Sequence, residues 1–148
     1  MRVPTWSAAA ALLACIAGAA PAPAQPQPAC AGVVPGDPNF VQTAVFFAVG
    51  SSALTAESRT SIERAANQIR AQFRDRVCLI GRTSATGSRE ANERLAQARI
   101  RAVQQELVRL GVQAGIIGTL AQGAAFGAER PQRAENRADR SVMIMYPR

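Results

Sequence analysis

The residues best equipped for chemistry sit in one short run, Gly81-Arg82-Thr83-Ser84-Ala85-Thr86-Gly87-Ser88, and at two positions beyond it, Asn92 and Arg99. Hydroxyls at Ser84, Thr86 and Ser88 become nucleophiles only beside a base. The chain has no His, and all 17 of its basic residues are Arg. Ser-His-Asp, Cys-His and Ser-Lys catalysis are thereby excluded, as are a Schiff base, a P-loop lysine and His-ligated zinc. No pair of carboxylates stands out for general acid-base work, so an enzyme is the least supported class. Recognition without covalent chemistry remains, and it calls for no cofactor and no metal.

The elements that must position these groups can be laid out from periodicity. Residues 77–81 read as a strand, and a helix follows over residues 89–110, with Ser88 as its cap and Gly111 as its stop. Leu95, Val103, Leu107 and Leu110 mark its inward stripe, and Arg99 lies four residues from both Leu95 and Val103. Asn92 precedes Arg99 by two turns, about 10 Å along the axis, on nearly the same face. A structural explanation of Arg99 stands beside a functional one: its stem runs along the core edge while its head reaches water or an acidic partner.

Upstream, residues 43–49 read as a first strand. Thr55 caps a helix with Glu57 in its first turn, and Ile62, Ala65, Ala66, Ile69 and Phe73 form its buried stripe. Downstream come a strand over residues 116–121, an irregular stretch over 123–138 and a last strand over 142–146. The order β-α-β-α-β-β predicts the α+β class, a two-layer sandwich with a mixed sheet and two helices on one face. Strand order is not written in the pattern.

The N-terminus reads as a signal peptide over residues 1–24, with a charged start, an apolar stretch too short to span a bilayer comfortably and a small-x-small exit at Ala22-Pro23-Ala24. Leu12-Leu13-Ala14-Cys15 offers a lipobox as the alternative, and membrane attachment is expected only if Cys15 is lipidated. Residues 25–39 form a Pro-rich linker, and order is expected to begin near Phe40, giving a domain over residues 40–148. Both processing routes leave Cys30 and Cys78 in an oxidising compartment, where their parity predicts a disulfide worth ~4 kcal/mol in the loop-entropy model. The alternative is a buried free thiol at Cys78, because Val77-Cys78-Leu79-Ile80 reads as an inner strand.

The domain resembles the OmpA-like C-terminal family that binds peptidoglycan. Val45-Phe46-Phe47-Ala48-Val49-Gly50-Ser51-Ser52-Ala53-Leu54 is similar to the family's V-x-F-D-x-x-S-x-x-L. Gly81-Arg82-Thr83-Ser84-Ala85-Thr86-Gly87, with Asn92, Leu95-Ala96, Arg99-Ile100 and Val103, is similar to G-H-T-D-x-x-G-x-x-x-x-N-x-x-L-S-x-x-R-A-x-x-V. Residues 137–144 are similar to a degenerate N-R-R-V-x-I. Three fragments in order and at the right spacing make the resemblance specific.

The resemblance implies a non-catalytic module holding the diaminopimelate residue of the peptidoglycan stem peptide. It implies that Arg99 grips a carboxylate, that the position of Ser84 faces the ammonium, and that Thr86 and Asn92 line the pocket with neutral hydrogen bonds. Three departures accompany the match: the family's Asp residues are Ser84 and Ala48, and its His is Arg82. The pocket has lost anions and gained a cation, enough to weaken binding by one to two decades at ~1.5–3 kcal/mol per charged hydrogen bond. Arg82, Arg89 and Arg99 together would suit an anionic ligand, whereas solvated surface charge explains Arg82 and Arg89 equally well. Peptidoglycan is therefore the expected partner and the periplasm or the outer membrane the expected location. The alternative is a degenerate domain that binds another envelope protein. The net charge of +7 also raises nucleic acid, but export and an aromatic content of 5% argue against it.

Overall fold

The computed structural model describes residues 28–83, 88–122 and 137–148. Two helices form where the sequence provides caps. Thr55 Oγ1 accepts the Ser58 N–H at 3.1 Å to open α1 (Ala56–Ala71), and Ser88 Oγ accepts the Ala91 N–H at 3.1 Å to open α2 (Arg89–Arg109). Both helices close with the same pair of backbone bonds. At α2, Gly111 takes φ +90° and the Val112 N–H reaches the Leu107 carbonyl at 3.0 Å; at α1 the left-handed residue is Phe73, φ +48°, with the Arg74 N–H on the Ile69 carbonyl at 3.0 Å. Arg70 Nη1 donates to the Leu110 carbonyl at 3.2 Å and joins the two helix ends.

Four strands, β1 (Phe40–Phe46), β2 (Val77–Arg82), β3 (Ile117–Gln122) and β4 (Ser141–Pro147), form one open sheet in the order β1-β4-β2-β3. The pairs β1/β4 and β4/β2 are antiparallel and β2/β3 is parallel, so the sheet is mixed, as expected. Both helices cover one face. There Ile62, Ala65, Ala66 and Ile69 of α1 and Ile100, Val103 and Leu107 of α2 pack on Val45, Val77, Leu79, Val142, Ile144 and Tyr146. Gly81 lets α2 come close, since a Cβ there would stand 2.8 Å from the Ile100 side chain and 3.0 Å from the Ala96 carbonyl. Tyr146 donates its hydroxyl to Gln68 Oε1 of α1, and burial lifts its phenol above the ordinary value of 10.0.

The structure shifts several expectations. The first strand runs over Phe40–Phe46 rather than residues 43–49, because Phe40, Val41 and Gln42 pair with Pro147, Tyr146 and Met145, and the chain turns away after Phe46. The inward stripe of α2 is also rotated: Ala96 and Ile100 are buried, whereas Leu95 and Leu110 are only half-buried. Part of the stretch expected to be a plain linker packs on the second face of the sheet. Cys30 and Val33 are buried there with Phe40, Cys78, Ile80 and Met145. The disulfide Cys30–Cys78, with Cα atoms 4.9 Å apart, fastens this cover, so Cys78 is not a free thiol. Residues 1–24 and 123–136 lie outside the described residues. Among the described residues, no helix is long and apolar enough to cross a membrane.

Candidate functional site

The topology brings the chemistry to one end of the sheet. Because β1 and β2 both run antiparallel to β4, and β3 runs parallel to β2, the C-terminal ends of β1, β2 and β3 lie beside the start of β4. The connection over residues 47–55 leaves the sheet at that end and leads into α1, and β2 ends there at Arg82.

The connection over residues 47–55 is pinned on every side. The Phe47 N–H bonds the Arg140 carbonyl at 2.9 Å, Ser58 Oγ donates to the Phe46 carbonyl at 2.7 Å, and the Ser51 N–H closes a tight turn on the Ala48 carbonyl at 3.2 Å. Gly50 supplies that turn's left-handed position with φ +64°. Arg99 grips this turn from α2. Its Nε donates to the Ser51 carbonyl at 2.9 Å, its Nη2 donates to the Ala48 carbonyl at 3.1 Å, and its Cζ lies 5.3 Å from the centroid of the Phe47 ring.

Arg99 therefore does not lift its head into water: the residue is 1% exposed. The guanidinium is the tie that holds the loop's shape, a role not foreseen from the helical stripe. Phe47 and the carbonyls of Ala48 and Ser51 are the partners that sequence reasoning missed. Main-chain acceptors carry no residue signature, so only the ring of Phe47 left a mark in the sequence.

Asn92 lies half-buried in the second turn of α2, on the approach to Arg99. Arg82 ends β2 and departs from expectation. Gly81 faces α2, so strand alternation sends Arg82 to the opposite face with Cys78 and Ile80. Arg82 thus points away from the helices, while Arg99 is buried on α2 on the helix side of the sheet. Arg89 is exposed at the first turn of α2. Ser84 and Thr86 lie outside the described residues. Thr83 follows β2; it is 6% exposed, and its Oγ1 has no hydrogen-bond partner among the described residues. At the rim, Arg137 stacks 4.4 Å from the Phe46 ring centroid and pairs with Glu57 at 3.3 Å.

A second buried charge on α2, Glu106, was not singled out in the sequence. It is 6% exposed and bridges the helices, meeting Arg59 of α1 at 3.1 Å and Arg109 at 2.6 Å. The hydrogen bond from Arg109, stronger than the opposing cost of burial, holds its carboxyl below the usual 4.5. Among the described residues, no group of His, Cys, Asp and Glu could hold a metal ion.

An open four-stranded mixed sheet with two helices on one face defines a small α+β sandwich. The OmpA family model matches residues 46–142, and the chain belongs to that family. Solved structures show the same fold. The OmpA-like domain of FopA1 from Francisella tularensis is 20% identical with a TM-score of 0.62, over 72% of this chain and 71% of its own. The peptidoglycan-associated lipoprotein from Burkholderia pseudomallei is 22% identical with a TM-score of 0.62, over 70% of this chain and 89% of its own. The periplasmic domain of Helicobacter pylori MotB is 21% identical with a TM-score of 0.59, over 73% of this chain and 72% of its own. No curated protein sequence matches the chain.

Proposed function

We propose that this protein is a non-catalytic module of the bacterial cell envelope that binds the peptidoglycan stem peptide non-covalently at the loop end of its sheet. The observation that supports it most is the placement of family-matched residues toward that end: Arg99 fixes the loop over residues 47–55, and Asn92 lies two turns before it on α2. Membership of the OmpA family and a structural neighbour named for its association with peptidoglycan point the same way.

In this reading diaminopimelate is the residue held, with Asn92 and Thr86 giving neutral hydrogen bonds and Arg99 drawing the carboxylate toward the guanidinium. Ser84 stands where an anion would face the ligand's ammonium, so binding is weaker than an acidic residue would make it. The chain works in the periplasm or against the outer membrane, exported by its signal peptide or held there by a lipid on Cys15.

One observation favours the alternative, a domain that binds another envelope protein. The guanidinium of Arg99 already holds two main-chain carbonyls, so the residue serves the fold as well as any ligand. Calorimetry of the full chain against a diaminopimelate-containing stem peptide separates the two. Ser84→Asp combined with Arg82→His is expected to raise affinity ~10- to 100-fold by restoring the anion. No binding by either folded protein contradicts the proposal and leaves the protein partner in its place.

A further inference from the structure

The sheet has two edges, β1 and β3, and they are not equivalent. The strand β3 lies beside the disulfide-fastened N-terminal cover, whereas among the described residues β1 pairs only with β4, and the turn at Gly36–Asp37 meets it through the Gln42 side chain. Its sequence, Phe40-Val41-Gln42-Thr43-Ala44-Val45-Phe46, carries no charge, no Pro and no Gly, the devices by which edge strands avoid pairing with other chains. It is also nearly the same read backwards. An antiparallel copy centred on Thr43 sets Phe40 against Phe46, Val41 against Val45 and Gln42 against Ala44.

The backbone fits that register. The Phe47 N–H and the Asn39 carbonyl bond to β4 through Arg140 and Arg148, so the odd-numbered residues face β4 and the even-numbered ones face the open edge. Two of the edge groups are already engaged: the Phe40 N–H bonds the Asp37 carbonyl at 3.2 Å, and the Phe46 carbonyl accepts from Ser58 Oγ at 2.7 Å. These are the two outermost groups of the strand. The Phe40 carbonyl, both groups of Gln42, both groups of Ala44 and the Phe46 N–H remain. A second copy in the register above bonds those groups and requires none of the engaged ones.

We propose that β1 is a self-association edge, on which a second copy of this chain pairs antiparallel about Thr43 and joins two sheets into one of eight strands. The contact is isologous, with Thr43 on the two-fold axis, so it closes as a dimer rather than growing into a fibre. Strand pairing alone buries a modest area, and the dimer is accordingly transient and concentration-dependent.

Sedimentation velocity on the full chain tests this. The dimer fraction is expected to climb from about a tenth to about three quarters over a ~100-fold rise in concentration, as mass action requires. Ala44→Pro removes an N–H that the fold itself does not use, so it is expected to abolish the dimer while the circular dichroism stays native. Cross-linking in a Cys15→Ser background reads the register independently of that variant. Thr43→Cys is expected to give an intermolecular disulfide on mild oxidation, because the two copies of residue 43 face each other as a close non-hydrogen-bonded pair. Gln42→Cys, which would face Ala44, is expected to give at least ~10-fold less, being one register step from a symmetric pair. A chain that stays monomeric throughout the series overturns the proposal and leaves the edge to a different strand donor. Dimers that survive in folded Ala44→Pro, or equal cross-linking at residues 42 and 43, overturn it as well.

Discussion

Arg99 and Glu106 lie two turns apart on the inward side of α2, both buried, and the protein settles their charges in opposite ways. Arg99 meets the carbonyls of Ala48 and Ser51 and the face of Phe47, which are fixed parts of the fold. Glu106 meets Arg59 and Arg109, whose side chains remain 54% and 65% exposed. Fixed dipoles do not titrate and are poorly screened, so the Arg99 side chain ties α2 to the backbone of the loop. Solvated cations are interchangeable and salt-sensitive, so the Glu106 contact fastens two helices that packing already joins. Burial alone therefore does not mark a functional charge; what answers it does.

The comparison can be broken from the Arg99 side with the largest effect. Arg99→Ala strands two carbonyls and is expected to cost about 3 kcal/mol in denaturant unfolding, with faster amide exchange over residues 47–55. An unfolding midpoint equal to wild type would mean the loop holds itself. Arg99→Lys keeps the charge but loses the fork, and about half of that loss is expected, ~1.5 kcal/mol. If Lys restored full stability, charge rather than geometry would be the tie.

On the other side, Glu106→Gln is expected to cost no more than ~1 kcal/mol, because the partners are exposed. Its pH signature is the sharper readout. The carboxyl of Glu106 is held below its usual 4.5, so its contribution is complete above that value and fades as pH falls from there through the lower folded pKa. Wild type should lose stability over that acid window more steeply than Glu106→Gln, and added salt should narrow the difference; parallel curves would remove the ion pair from the account. Smallest, and distant from both charges, is Phe73→Gly at the end of α1. Phe73 sits at φ +48° and is 92% exposed, where Gly111 serves the same turn of α2. A gain of about 0.5–1 kcal/mol is expected, since glycine takes this backbone without strain. A loss would show that the ring packs in solution.

Local signals in the sequence were read well where chemistry is local. Thr55 and Ser88 cap the two helices through their own hydroxyls, and Gly111 stops α2 through its own backbone freedom. The unbroken apolar run Val77-Cys78-Leu79-Ile80 that makes β2 an inner strand was equally visible. What escaped depends on distant pairing. Nothing near Phe40 announces that Met145, Tyr146 and Pro147 will extend β1 backward, and nothing near Val33 announces the second face of the sheet as its shelter. At the candidate site, Asn92 and Arg99 share one face of α2 through their seven-residue spacing, which the sequence shows directly. The face that Arg82 takes follows from the close approach of Gly81 to Ile100, a contact between a strand and a helix that no spacing encodes. Glu106 was missed for the same reason, as its partner Arg59 belongs to the other helix.

The central claim is that the loop end held by Arg99 recognises peptidoglycan. Co-sedimentation of the full chain with purified diaminopimelate-containing sacculi tests it most directly, with free stem peptide as competitor and Asn92→Ala as the variant that alters the approach without touching the Arg99 tie. Saturable binding that the peptide displaces, and that Asn92→Ala weakens by ~3- to 10-fold, is the predicted result for loss of one neutral hydrogen bond. A folded chain that stays in the supernatant at every concentration, or binds sacculi in a way the peptide cannot displace, would contradict it.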